Sequence, residues 1–278
     1  MTSEKKIFNR NKTYDYMKAI AIILVVIDHL NNWSQVGGDQ NPYRIFIYSL
    51  HMPLFFMVSG CLAYRKINDA SEIFHFIKNK FRILVPLAAF SIGDIIFLKA
   101  SINEIFTWHK YGLWFLWVLF LFFLMYALTQ FILLKTKKIT IELCVYLISA
   151  IGCIICKKYS DTYIGGIFNF LNLYNYVFFL LGIVVVKYKL KHFILKDFIH
   201  FGVLVIYIVS LFLNQDFLNL PMKACGILFI YGFLEKISNN NKEQFIINEK
   251  KNRKVNFNNW KYDIVHLYSS FLFYKRNK

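Results

Sequence analysis

Charge is scarce in this chain of 278 residues: only 18% are Asp, Glu, Lys or Arg, against roughly 25% in ordinary soluble domains. Acids are the rarer sign, 16 against 33 bases. Four prolines and 12 glycines leave no room for a collagen repeat or Gly/Pro linkers, and the apolar content excludes disorder. The five cysteines, Cys61, Cys144, Cys153, Cys156 and Cys225, lie mostly in apolar runs, where a thiol behaves as a small hydrophobe. Cys153 and Cys156 form one C-x-x-C. No second pair completes the roughly four ligands of a structural zinc site, so no metal is expected.

Apolar residues are what the chain has in excess. They make up 57% of it, with 30 Phe among them, and the mean hydropathy is +0.43. A soluble monomer of this size has no core large enough to hide so much apolar surface. The composition therefore predicts an all-α, polytopic transmembrane helix bundle. Eight apolar runs approach the length of about 20 residues that a spanning helix needs: 16–33, 44–63, 83–100, 113–134, 139–156, 168–186, 197–213 and 219–234.

The net charge of +17 would suggest nucleic acid in a soluble protein. Here the bases lie between the apolar runs. With the N-terminus in the cytoplasm, 26 of the 33 fall in the segments 1–15, 64–82, 135–138, 187–196 and 235–278, and five on the other side. This asymmetry follows the positive-inside rule and the attraction of anionic lipid heads. Membrane lipids, not nucleic acid, are the expected partner. The first run has no cleavage site after it and reads as a retained first helix. Two parts are expected: a transmembrane domain over 1–237 and a polar, Asn/Lys-rich cytoplasmic tail over 238–278.

Ionisable groups at bilayer depth cost a few kcal/mol each and therefore mark function. The first run holds Lys18, Asp28 and His29, with Asp15 just before it. Lys18 and His29 are eleven residues apart, which on a helix puts them about 20° apart in azimuth and roughly 16 Å apart along the axis. Lys18 either snorkels to the inner interface or serves a site shared with His29. In the second run His51 lies at a depth similar to His29, followed by Pro53, a kink position, and by Ser59 and Gly60, which permit close helix approach. Lys80 and Arg82 stand at the inner mouth of the third run, which also holds Asp94. Topology alone accounts for the two cations; a phosphate clamp is the functional reading. Trp108, Trp114 and Trp117 fit an interfacial aromatic belt.

Taken together these segments resemble the acyltransferase-3 family of bacterial membrane acyltransferases. That family has an Arg or Lys in helix 1, then ten intervening residues, then a His, matched by Lys18 and His29. HMPLFFMVSG from His51 to Gly60 matches its second-helix pattern, and Lys80, Arg82 and Pro86 match the opening of its third. Trp114, Phe115 and Leu116, and then FFLLGIVVVK over 178–187, follow in order. The likeness covers about 10–235. Lys at positions 18 and 80, where many members carry Arg, keeps the charge but loses the bidentate fork. The family's usual ten spans and its late S-x-x-I/L-Y-L-x-H pattern have no convincing copy here, and a truncation or frameshift after about residue 238 is expected.

The resemblance implies transfer of an acetyl or other short acyl group from acyl-CoA, commonly acetyl-CoA, to a hydroxyl of a cell-surface polysaccharide or its lipid-linked precursor. Acetyl-CoA is a co-substrate, with no permanently bound cofactor. The implied location is the bacterial cytoplasmic membrane. His29 is the expected general base and Lys18 its catalytic companion. Lys80 and Arg82 are expected at the donor, and His51 or Asp94 orients the base or the acceptor. The rival readings are a transporter or flippase of polysaccharide intermediates and an inactive truncated remnant.

Overall fold

The computed structural model describes residues 11–34, 42–97, 114–136, 138–158, 173–213 and 219–240. Among them there is no strand, and helices stand at all eight places where the hydropathy pattern puts an apolar run. In chain order they are α1 (Lys12–Ser34), α2 (Pro42–Ala63), α3 (Ala70–Lys80), α4 (Leu84–Phe97), α5 (Trp114–Leu133), α6 (Ile139–Lys158), α7 (Tyr176–Lys187), the one-turn α8 (Lys191–Ile194), α9 (Asp197–Leu213) and α10 (219–240). Among the described residues, three segments are long and apolar enough by length and composition to cross a membrane: Tyr43–Ala63, Trp114–Leu133 and Ile139–Cys156. The tail beyond 240 lies outside the described residues.

The most extensive helix pair is α2 with α7, followed by α1 with α2. Glycine makes the first of these possible. A Cβ added at Gly60 would collide with the Phe179 carbonyl oxygen, and one added at Gly182 with that of Met57. Each helix thus presents a bare backbone to the other. In a bilayer, where lipid tails are as apolar as leucine, such close approach and its van der Waals contact drive association. Cys61 adds a bond across the same seam, its Sγ donating to the Gly182 carbonyl at 3.4 Å.

Around the seam the rings of α5 close the core. Phe122 lies 4.9 Å from Phe56 and 5.3 Å from Tyr176 between centroids, Phe123 lies 5.4 Å from Phe179, and Tyr176 stacks on Phe179. Pairs of this kind add roughly 0.5–1.5 kcal/mol beyond their area. Outward, the helices carry a broad apolar surface, including Ile22, Val26, Phe90, Phe131, Ile148 and Phe212, as expected of a bundle facing hydrocarbon.

Hydropathy gives no sign of α3, which lies in the basic segment between the second and third runs. Its start signal is local. Asp69 caps the helix, its Oδ1 accepting from the Glu72 N–H at 2.9 Å, while Glu72 Oε2 reaches back to the Asn68 N–H at 2.9 Å. This is the reciprocal logic of a capping box. The Glu72 N–H, with the Ser71 hydroxyl, holds the Asp69 carboxyl below its ordinary pKa. Apolar residues at helical spacing, Ile73 and Phe76, then dock α3 on α5 through Phe76, whose ring centre is 5.8 Å from those of Phe123 and Tyr126.

Ion pairs join further elements: Lys187 of α7 with Glu142 of α6, Lys191 of α8 with Glu235 of α10, and Lys236 of α10 with Asp197 of α9. Two outcomes follow for stability in detergent. Gly182→Val should lower the thermal midpoint sharply, because overpacking costs about 1–3 kcal/mol even against movable side chains and here the obstacle is backbone; Gly152→Val, with open space at its Cβ, should leave it near wild type. Glu142→Gln should destabilise by orphaning the half-buried Lys187, and adding Lys187→Met should restore part of the loss, a coupling that a double-mutant cycle reads directly.

Candidate functional site

Polar groups concentrate at the two ends of the bundle. One end gathers the close of α2, α3, the start of α6, the close of α7, α8 and the close of α10, tied by the ion pairs above. Tyr64 and Tyr188, at the edges of the basic segments 64–82 and 187–196, are electrostatic neighbours here. Lys80 lies half-buried with its Nζ 4.1 Å from the Phe123 ring centre and 5.3 Å from that of Phe76. Burial, and then the nearby Arg65 guanidinium, pull its ammonium below the ordinary pKa. Arg65 stands 4.6 Å above the Phe76 ring, and its Nη2 donates to the Glu72 carbonyl at 2.7 Å. Arg82 is exposed on the turn that follows α3. Lys80 and Arg82 thus occupy one end of the bundle but different surroundings, one resting on rings and one in the open.

Deeper in this end, Glu235 is 2% exposed, with Tyr14 of α1 as an electrostatic neighbour and Cys61 of α2 beside Tyr14. Sequence reading passed over Glu235, Glu142 and Arg65. The first two are single acids at helix ends, and only the packing shows that each takes a lysine from another helix.

At the opposite end the central group is His51, 5% exposed. Its Nδ1 is 2.8 Å from the Ile47 carbonyl oxygen. A carbonyl only accepts, so Nδ1 carries the proton and the neutral ring keeps its lone pair on Nε2. Tyr48 packs edge-on to the ring at 5.1 Å. The charged neighbours that act on it are Asp28 of α1 and Lys223 of α10, with His29 also in range. Nearby in the same helix Ser49 shares a 2.8 Å hydrogen bond with Tyr207 of α9, and Lys223 lies 5.8 Å from the Tyr174 ring centre.

Helix 1 divides its two polar outer residues. Met17, Ala21 and Asp28 fall on the packed stripe, Asp28 being 7% exposed. Lys18, Ile22, Val25 and His29 form the adjoining stripe, with Lys18 half-buried and His29 exposed. The helix runs unbroken across both positions, so Lys18 and His29 do share an azimuth, as their spacing predicts. Asp28, buried on the packed stripe, is an electrostatic neighbour of His51. Sequence spacing pointed to the imidazole; only the packed structure shows that the carboxylate is the buried one of the two. Asp94 falls within α4, and its side chain lies outside the described residues. Lys223 was visible in the sequence only as a lone cation in an apolar run. Among the described residues, no group of three or more His, Cys, Asp or Glu is gathered as metal ligands.

Two curated relatives match part of the chain. Nodulation protein NolL of Sinorhizobium fredii is 46% identical over 59 residues, 20% of this chain and 16% of the relative. Nodulation protein NolL of Mesorhizobium japonicum is 41% identical over 59 residues, with the same shares. The aligned part thus spans about a sixth of these relatives' length. No solved structure matches. The profile of the acyltransferase domain family matches residues 11–248, from the start of α1 past the end of α10. With the Lys18–His29 spacing, the HMPLFFMVSG helix and the basic inner mouth all inside that match, the chain belongs to the acyltransferase-3 family.

Proposed function

We propose that this protein is a multi-pass acyltransferase of the bacterial cytoplasmic membrane, with its N-terminus in the cytoplasm, crossing the bilayer about eight times. It moves an acetyl or other short acyl group from acyl-CoA to a hydroxyl of a cell-surface polysaccharide or its lipid-linked precursor. The observation that carries this reading is the pairing, on helices of an acyltransferase family, of a cationic mouth at one end with a carboxylate–imidazole group at the other. A cytoplasmic anionic donor suits the first, and an acceptor hydroxyl suits the second. The roughly 16 Å rise from Lys18 to His29 is a distance that an extended pantetheine arm covers.

In the reaction the acceptor oxygen attacks the thioester carbonyl. The general base takes the hydroxyl proton, the C–S bond breaks, and the CoA thiolate leaves and is protonated. His29 is the base in this reading. Its ring is exposed, and it follows Asp28, an electrostatic neighbour of His51. Lys18, on the same stripe, holds negative charge on the arriving donor, and Lys80 with Arg82 receives it at the mouth. His51, with its tautomer set by Ile47, and Asp94 serve orientation.

The His51 geometry also favours a second reading, in which its Nε2 lone pair accepts the proton itself. Membranes containing the full chain, supplied with radiolabelled acetyl-CoA and assayed for label on glycan, separate the two. His29→Ala should reduce transfer by about 10²–10⁴-fold, the range of a general base, with His51→Ala reducing it less. A large loss in His51→Ala with His29→Ala near wild type moves the base to His51. Absence of any label in the wild type, with the glycan intermediate moved across the membrane, would favour a transporter.

A further inference from the structure

Beside Lys80, the segment that links α2 to α3 and the first turns of α3 border a cleft of about 590 Å³ lined by Arg65, Lys66, Ser71, Glu72, Phe74 and His75. That volume falls within the roughly 300–1,000 Å³ of ordinary ligand sites. The segment 64–82 that bears it holds five Lys and Arg against two acids, and both acids are engaged by their own backbone. Asp69 accepts from the Glu72 N–H and the Ser71 hydroxyl, and Glu72 accepts from the Asn68 N–H. Arg65 donates to a carbonyl, not a carboxylate, so its charge is not cancelled by that contact. Its Nε is buried with no hydrogen-bond partner among the described residues. The guanidinium is held in place before any ligand arrives, by the Phe76 ring below and the Glu72 carbonyl beside it, which lowers the ordering cost of binding. Next to these cations Phe74 is 71% exposed and His75 is exposed. Phosphate-binding cations beside an open aromatic ring are a combination that suits a phosphorylated nucleoside.

We infer that this cleft binds the adenosine 3′,5′-bisphosphate head of the acyl-CoA donor, with Arg65 and Lys66 on phosphate and Phe74 and His75 against the base. The inference rests on the proposed donor. It adds a docking place for the nucleotide outside the bundle, next to Lys80, from which the pantetheine arm enters. The shared chemistry is a phosphate ester, and the phosphate of an anionic lipid head is its other source. Lys66 is exposed and packs no core, so it can be changed without disturbing the fold.

The test uses the full chain in nanodiscs of neutral lipid, with binding of CoA and of 3′-dephospho-CoA measured by calorimetry. Wild type should bind CoA at least tenfold tighter than 3′-dephospho-CoA. Lys66→Gln should erase most of that difference while leaving the affinity for 3′-dephospho-CoA unchanged, and Phe74→Ala should weaken both. Equal affinities in the wild type, or undiminished discrimination in Lys66→Gln, would overturn the site. If acetyl-CoA supports transfer but Lys66→Gln changes only the response to added phosphatidylglycerol, the cleft belongs to lipid heads and the nucleotide assignment fails. If neither nucleotide binds and acetyl-CoA supports no transfer, the donor itself is wrong, an outcome distinct from a donor that binds elsewhere.

Discussion

Two glycines facing each other's backbone hold this bundle together. At Gly60 and Gly182 the absence of side chains lets α2 and α7 approach until the carbonyls of Phe179 and Met57 occupy the space where a Cβ would be. No hydrophobic driving force acts between helices in lipid, so contact distance sets the strength of association. The ring cluster of α5 then has a fixed wall to pack against, and α3 has a fixed place on α5. The inner-mouth cations and the His51 end are both carried by α2 or by elements leaning on it.

The two polar ends differ in how they are held. The inner end is laced by ion pairs between helices and by cations on aromatic faces. Its charges, Lys80 and Arg65 among them, stay half-buried with part of their solvation replaced by rings. At the other end a buried carboxylate and a buried imidazole lie within electrostatic reach, and one backbone carbonyl sets the tautomer. The first arrangement suits receiving an anion from water. The second suits proton transfer, where one ring nitrogen must be a donor and the other a lone pair.

Much of the fold was legible in composition. Eight apolar runs gave eight helical places, because helix formation in lipid needs only that every backbone group be satisfied internally, and Gly60 was readable as a close-approach position. What hydropathy missed was α3, a short amphipathic helix whose evidence is its cap at Asp69 and its Ile73–Phe76 spacing. In the candidate site, the Lys18–His29 stripe and the depth of His51 were readable because helical periodicity fixes azimuth and rise. Asp28, Lys223, Glu142 and Glu235 were not, since a lone charge on one helix carries no sign of which neighbour it faces.

By itself, then, the amino-acid order determined that this is a helical membrane chain of an acyltransferase family, with most of its bases between the apolar runs and its motif residues at given heights along their helices. Those are properties of one helix at a time, set by hydropathy, charge and a 3.6-residue period. Only tertiary structure decided that Asp28 is packed inside while His29 stays exposed, that Lys80 rests on Phe76 and Phe123, and that Arg65 and Phe74 border a common cleft. Each of these depends on the rotation of one helix against another, which packing at the glycine seam and the aromatic core selects and no single segment encodes.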